Sequence, residues 1–271
     1  TGGTGGTGGT GGTGGSGGSG GTGGTGGGGA PACEGLGTGP TLHSGKITDH
    51  QVWKAEDSPH VVTDRLDVVD GGTLEIEPCA VVELEADVDL NVAFPGAAKA
   101  AAPLAVGTED EPIVFRGHDG ERWGRTFVRA PGTAQLAHVI VDGGGASDVH
   151  GASLVAHGDD VLPSHPALAI DDVSVVGSLG AGVVMDRTAR FADDSVALSI
   201  SGSGDEDSPF PPRIDEHAID SIPEGSSFTG NWRDAVLVDP RADLVESTRM
   251  QKLDVPYRIG DSPNDHFDVG G

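Results

Sequence analysis

The 271-residue sequence is poor in aromatic residues, in basic residues and in long apolar segments. Aromatic side chains make up 4% of the chain, so Val, Leu, Ile and Ala must fill most of any folded core. Sixteen Lys and Arg stand against 42 Asp and Glu, and the formal charge of −26 argues against nucleic acid as a partner. No apolar run approaches the roughly 18 residues of a membrane-spanning helix, so we expect no membrane insertion.

Cysteine is scarce as well, because the chain contains only Cys33 and Cys79. The sequence begins on Thr1 rather than Met, which we interpret as the result of leader removal, and we therefore expect an extracellular or cell-surface protein. In such an oxidising compartment we predict a disulfide between the two cysteines, tying an entry segment to the first repeats. Two buried free thiols are the alternative.

The excess of acidic residues has two interpretations. Spread over the surface, it keeps the chain soluble, including in a salty medium. Gathered in clusters, carboxylates bind calcium. We expect no cofactor, with calcium as the alternative at two pairs of adjacent residues, Asp171 with Asp172 and Asp193 with Asp194.

Short runs of alternating apolar residues recur between positions 58 and 115. Alternation with a period of two places the members of each pair on one face of a strand. Turn residues separate these strands, and segments of similar length keep returning, which indicates a solenoid whose turns stack on one another. The pairs are Leu66 and Val68, Leu74 and Ile76, Val82 and Leu84, Val88 and Leu90, Leu104 and Val106, and Ile113 and Phe115.

A series of short motifs lies in the same region. The series consists of GTLEIEP at 72–78, Val81-Val82, PLAVGT at 103–108, PIVF at 112–115 and Trp123-Gly124. It resembles the repeat of bacterial secreted right-handed parallel β-helix proteins, over roughly residues 47 to 271. That family usually has glycine where Cys79 stands. The resemblance implies an all-β fold, a right-handed parallel β-helix, and leaves the function open, because this fold hosts lyases, hydrolases, adhesins and inert scaffolds.

The chain divides into a low-complexity tail (1–29), an entry or cap segment (30–57) and the β-helix (58–271). A solenoid needs a cap because an open end exposes apolar side chains and unpaired strand edges. We assign Ile47, Val52 and Trp53 to this cap.

The β-helix itself is interrupted once. We expect nine or ten rungs between Val61 and Ile200, followed by a Pro-rich acidic crossing at 201–233. Two further rungs are expected after the crossing.

The tail consists of nine triplets of Thr-Gly-Gly or Ser-Gly-Gly. A strict period of three matches the polyproline II helix, which has three residues per turn and no internal hydrogen bonds. Packed side by side, such helices satisfy one another's backbone groups, so we interpret the tail as an assembly element, with a flexible linker as the alternative. Its hydroxyl ridge comprises Thr1, Thr4, Thr7, Thr10, Thr13, Ser16, Ser19, Thr22 and Thr25.

The C-terminal segment repeats an earlier pattern. Residues 255–271 repeat the pattern of residue types in residues 58–72. The first copy continues into a strand at 73–76, whereas the second copy ends. Phe267 and Val269 are then expected at an open strand edge, which is a template for another chain. Copies joined head to tail in this way form an open filament. A fragment of a longer protein is the alternative.

Three functions are compatible with these features. The first is an extracellular structural protein that assembles with copies of itself into a filament or surface layer. The second is a surface-anchored module that binds glycans or another partner, with the tail as spacer. The third is a polysaccharide lyase or hydrolase using paired carboxylates. The polygalacturonase-like set of motifs is not present, and the ten histidines show no metal-binding spacing, so we expect no catalytic site.

Overall fold

The computed structural model describes Gly2, Cys33 and residues 35–159, 163–240 and 249–260. The protein is all-β, with 45% strand and 6% helix, and 18 strands join in one large sheet whose strands pair in parallel. The predicted all-β class is therefore confirmed, and the sheet is consistent with a parallel β-helix. The predicted hydroxyl ridge between Thr1 and Thr25 and the predicted edge residues Phe267 and Val269 lie outside the described residues.

The strands stack in three columns, which we name A, B and C. Column A contains β2 (His50–Trp53), β4 (Thr73–Ile76), β7 (Ala102–Val106) and β14 (Ala189–Phe191). Column B contains β5 (Val81–Leu84), β8 (Ile113–Gly117) and β15 (Val196–Ser201). Column C contains β6 (Leu90–Val92), β9 (Thr126–Arg129), β11 (Leu154–His157), β13 (Val183–Asp186), β16 (Pro212–Asp215), β17 (Val236–Asp239) and β18 (Tyr257–Ile259).

Four longer strands pass through two columns each. They are β1 (Thr41–Ile47) and β3 (His60–Val68) in columns B and C, and β10 (Ala134–Asp142) and β12 (His165–Val176) in columns A and B. Three short 3-10 helices lie between strands, at Ala55–Asp57, His118–Gly120 and Glu216–Ser221.

From β2 to β16, each full turn of the stack contributes one strand segment to each column. Thr126, Leu154, Val183 and Pro212 are successive partners in column C, so a turn there takes 28 or 29 residues. The expectation of nine or ten rungs between 61 and 200 was wrong, because it counted separate strand segments as whole turns. The structure also places β16 within 201–233, where no strand was expected.

The interior of column C is one continuous row of aliphatic side chains. Alternation along every strand turns these residues inward, and parallel register stacks each on the one before. From Val68 to Val238 they are at most 2% exposed, and each buried Val, Ile or Met side chain of the row stabilises the fold by about 1.5–3 kcal/mol. The row runs Ile47, Val68, Val92, Val128, Ala156, Met185, Ile214, Val238 and Ile259.

A buried polar row supports the corner between columns B and C. Ser153 Oγ and Ser178 Oγ lie 2.5 Å apart, and the Ser203 hydroxyl accepts a hydrogen bond from the Ser178 backbone N–H. The Ser203 N–H in turn donates to the Asn231 side-chain oxygen. Buried polar groups need such partners, so this row fixes how the corner loops stack on one another.

Two of the three residues assigned to the cap are buried as expected. Ile47 and Trp53 are each 2% exposed, whereas Val52 is 40% exposed. Along β2, Val52 alternates with Trp53, so only one of the two can face the interior.

Candidate functional site

The two ends of the strand stack are the first candidate site. In the part of the chain that the structure describes, β1 pairs only with β3, and β18 pairs only with β17. β1 exposes Leu42 at 66% and has an irregular register around Ser44. An edge strand of this kind has unpaired backbone N–H and C=O groups that can pair with another chain, although an irregular register makes such pairing less favourable.

Both end strands belong to column C, so their side chains occupy equivalent rows. Among the described residues, Ile47 and Ile259 are the first and last members of the interior row. Lys46 and Arg258 are the corresponding exposed members of the outer row. A copy stacked in register would therefore continue the aliphatic row and would place Lys46 beside Arg258.

The two pairs of candidate calcium ligands lie on successive turns, and the structure brings only one member of each pair, Asp171 and Asp194, to a shared cavity. Asp171 pairs in register with Ala137 and Val196, and the Asp172 carboxylate lies 3.0 Å from His138 Nδ1. Asp193 accepts a hydrogen bond from Arg190 at 3.2 Å, and its side chain is 93% exposed. Asp194 and Asp171 line one shallow cavity of about 190 Å³.

The described residues contain no group of three or more His, Cys, Asp or Glu side chains arranged to hold a metal ion. Asp193 and Asp194 also line a cavity of about 260 Å³ with Asp220, Glu224 and Arg190. Arg190 lies 3.7 Å from Asp220 as well as pairing with Asp193, so this acidic group already has an internal cation.

A charged network that the sequence did not reveal surrounds Glu83. The Glu83 side chain is 10% exposed and accepts hydrogen bonds from Arg116 Nη2 at 2.6 Å and from His118 Nδ1 at 2.7 Å. Burial opposes its ionisation, but the bonds from His118 and Arg116 outweigh burial and hold the pKa of Glu83 below its ordinary value. The bond to Glu83 raises the pKa of His118. Glu83 and Arg116 line a cavity of about 470 Å³. Because the Glu83 carboxylate is held ionised by Arg116 and His118, we interpret the group as a structural ion pair rather than as an acid and base for catalysis.

Two histidines and a tryptophan stack on one another in the first turn of the strand stack. The rings of His43 and Trp53 have centroids 4.0 Å apart, and those of Trp53 and His60 have centroids 5.1 Å apart. His60 Nε2 lies 2.9 Å from the Lys54 carbonyl oxygen, so this nitrogen must carry the proton and donate. Neutral His60 then accepts at Nδ1 from His43 Nε2–H, 3.0 Å away. The pair joins residues 17 positions apart and forms only because β1 stacks on β3.

We expect the stability of this first turn to fall in mild acid. Burial, and second the nearby His60, lower the pKa of His43 from 6.5 to about 4, and burial also lowers the pKa of His60. Because both pKa values lie below those of the unfolded chain, the unfolded state binds more protons as the pH falls. The stabilisation is thus complete above pH 6.5 and is lost towards pH 4. The shift of His43 alone corresponds to about 3 kcal/mol, and because the ring is only half-buried, solvent screening reduces the expected decrease in the free energy of unfolding over this range to about 2 kcal/mol.

Chemical unfolding followed by circular dichroism at several pH values tests this expectation. His43→Gln should flatten the profile between pH 6.5 and 4, because it removes one titrating ring of the pair. His50→Gln is the matched control, since His50 is an exposed histidine on the neighbouring strand β2. A His43→Gln profile identical to that of the unaltered protein would contradict the assignment.

Comparison with known proteins gives no family assignment. No protein-family model, no curated protein and no solved structure matches the chain. Among the described residues, no helix is long and apolar enough to span a membrane. Cys33 and Cys79 form the predicted disulfide, which is compatible with an extracellular or secreted protein.

Proposed function

We propose that this chain is a right-handed parallel β-helix of the secreted type that serves as an extracellular structural protein. In this proposal, copies stack head to tail through the ends of the coil into a filament or surface layer. The observation that supports it is the equivalence of the end strands. β1 and β18 occupy the same column and each has one strand neighbour among the described residues.

Stacking in register has a favourable and an unfavourable component. Joining β1 of one copy to β18 of the next continues the aliphatic row from Ile259 to Ile47 and adds a strand pairing. Against it stand the Lys46–Arg258 contact and the repulsion between copies that each carry a formal charge of −26. Both unfavourable terms are electrostatic between exposed groups, so salt should promote assembly. The Thr-Gly-Gly tail would add contacts through side-by-side polyproline II packing.

The charge at position 46 gives a direct test of this register. Two like charges about 5 Å apart repel by about 0.8 kcal/mol in water, roughly fourfold in an association constant. Lys46→Gln should therefore raise the association constant by up to about fourfold and shift assembly to lower salt. Negative-stain electron microscopy and sedimentation between about 0.05 and 1 M NaCl provide the measurement.

Lys99→Gln is the matched control, because Lys99 is exposed but does not lie on an end strand. It changes the net charge equally and should leave assembly unchanged or slightly weaker. Single particles at every salt concentration, for all variants, would rule out head-to-tail stacking. Filaments formed by the full chain but not by a chain that begins at Ala30 would assign the tail a part in assembly.

A binding module is the second candidate, and one observation favours it. Arg129 is half-buried on the outer face of column C, and its side chain donates no hydrogen bond to any residue that the structure describes. This guanidinium edge, in a chain with 42 acidic residues, is available to an acceptor from outside the chain.

A further inference from the structure

The outer face of β9 carries an aromatic ring with two arginines over it. Phe127 and Arg129 alternate along β9 and Arg125 directly precedes it, and both arginines reach the Phe127 ring. The guanidinium carbon atoms of Arg125 and Arg129 lie 4.2 Å and 3.7 Å from the centroid of the Phe127 ring. Phe127 is 3% exposed, so the guanidinium groups cover an otherwise apolar surface. Both guanidinium groups are thus held against the ring by cation–π contact. Arg125 also pairs with Asp148, whereas Arg129 has no hydrogen-bond acceptor among the described residues.

The acceptors near this ring are already engaged. Asp148 pairs with Arg125 and also accepts the backbone N–H groups of His150 and Ala152. Asp89 accepts from the Ser147 hydroxyl and from the Arg125 backbone N–H.

The remaining nearby carboxylate belongs to Asp67. Asp67 lies on β3, two strands before β9 in column C, and its carboxylate pairs with Arg65 Nε at 2.7 Å. Three guanidinium groups therefore lie near three carboxylates on this face. Among the three arginines, Arg129 is the one whose side chain donates no hydrogen bond to a described residue.

A second buried donor lies on the neighbouring strand. Asn91 is the register partner of Phe127 on β6 and is 2% exposed. Its side-chain nitrogen has no hydrogen-bond partner among the residues that the structure describes. Arg125 Nε makes no hydrogen bond either, although it lies 3.6 Å from the Asp89 carboxylate. Both nitrogen atoms are buried, so they favour an anion above this face through their N–H dipoles rather than by direct contact with it.

The surroundings also disfavour the charged form of Arg129, although the carboxylates of Asp89 and Asp67 lie nearby. Burial, then the nearby Arg125 and Arg65, lower the pKa of Arg129. An anion bound at its free edge would offset the repulsion between these guanidinium groups.

We propose that Arg129, supported by Arg125, Phe127 and Asn91, is a binding site for a carboxylate group. A carboxylate matches the planar fork of a guanidinium through two parallel hydrogen bonds. A singly charged anion also suits the site better than a doubly charged phosphate, because Asp67 and Asp89 remain close and the whole chain is strongly acidic. The carboxylate belongs either to a small acid or to a uronic acid unit within an acidic glycan.

Titration of the full chain at low salt tests the site with defined probes. Sodium glucuronate and polygalacturonate are the carboxylate probes, and glucose and sodium sulfate are the comparisons. Isothermal titration calorimetry should show glucuronate binding that is stronger than sulfate binding and no binding of glucose. Equal affinity per carboxylate for glucuronate and the polymer would identify a site for the acid group alone. Tighter binding of the polymer would identify an acidic glycan as the source of the group.

Three variants separate the site from general charge effects. Arg129→Gln should weaken glucuronate binding at least about tenfold, and Arg129→Lys should give an intermediate loss, because it keeps the charge and removes the fork. Arg190→Gln should leave binding unchanged, since Arg190 already pairs with Asp193 and Asp220. Circular dichroism confirms folding, and Arg129→Lys remains informative if Arg129→Gln fails to fold. Equal glucuronate affinity in Arg129→Gln and the unaltered protein, preferential binding of sulfate, or no binding of any carboxylate probe would overturn the proposal.

Discussion

Replacing Trp123 by alanine should lower the free energy of unfolding by about 3–5 kcal/mol. Trp123 is fully buried, at 0% exposure, in the corner between β8 and β9. Its indole N–H donates to the Asp142 carbonyl oxygen at 2.6 Å. A Cβ atom added at Gly144 would lie only 2.8 Å from the ring, so glycine at that position lets the next turn pack directly against the indole. Truncation would leave a cavity between two turns and an unpaired carbonyl, and rigid strands on both sides limit how far the site can collapse.

Two further variants assign the loss to its causes. Trp123→Phe keeps most of the ring and removes the N–H donor, so we expect a loss of about 1–2 kcal/mol. Trp232→Ala is the matched control, since Trp232 is 62% exposed, and the expected change is within about 0.5 kcal/mol. Unfolding in guanidinium chloride should be followed by circular dichroism, because each variant alters the tryptophan fluorescence. A Trp123→Ala variant no less stable than Trp232→Ala would show that the corner does not depend on the ring.

The strands that could be predicted from the sequence are those with a clear period of two. The alternation of Leu74 with Ile76 and of Val82 with Leu84 reports on local geometry alone, and β4 and β5 form there. β16 escaped prediction because it begins at Pro212 and follows a Pro-rich acidic segment, which is typical of a loop. Pro212 is tolerated since it is the first residue of its strand.

The number of strands in a turn could not be predicted from the sequence in the same way. A turn has a constant cross-section but connects its strands by loops of unequal length, so sequence spacing does not identify which segments stack. Column C shows this inequality. Leu90 and Thr126 are partners 36 positions apart, whereas Thr126 and Leu154 are partners 28 positions apart.

The charged sites illustrate the same limit. The sequence indicated Asp171 and Asp172 because they are adjacent in the chain, but the contact that forms joins Asp172 to His138, 34 positions away on the preceding turn. Arg129 had no sequence signal at all, because its distinguishing property is the lack of an acceptor in three dimensions. The disulfide was predictable for the opposite reason, since two cysteines allow a single pairing.

Loss of the disulfide should have an effect as large as that of Trp123→Ala. Cys33 and Cys79 are 46 positions apart, and closing a loop of that length removes unfolded-state entropy worth about 4 kcal/mol in the chain-entropy model. Cys79 lies between β4 and β5 and donates its backbone N–H to the Glu111 carbonyl of the next turn. We therefore expect the loss to appear first in the opening turns, as faster hydrogen exchange in β2 to β5 than in β11 to β13.

The residue chosen to replace Cys79 should matter, because its backbone has a φ of 65°. An L-residue with a Cβ atom is strained in this left-handed region by about 1–2 kcal/mol, whereas glycine adopts it freely. Glycine also gives the unfolded chain about 0.5–1 kcal/mol more entropy, so the net advantage is smaller than the strain. Cys33→Ala/Cys79→Gly should thus be more stable than Cys33→Ala/Cys79→Ala by about 0.5–1 kcal/mol. If reduction left the unfolding midpoint unchanged, the disulfide would not stabilise the first turns. If the alanine variant were the more stable of the two, the left-handed backbone at position 79 would not be strained by a Cβ atom.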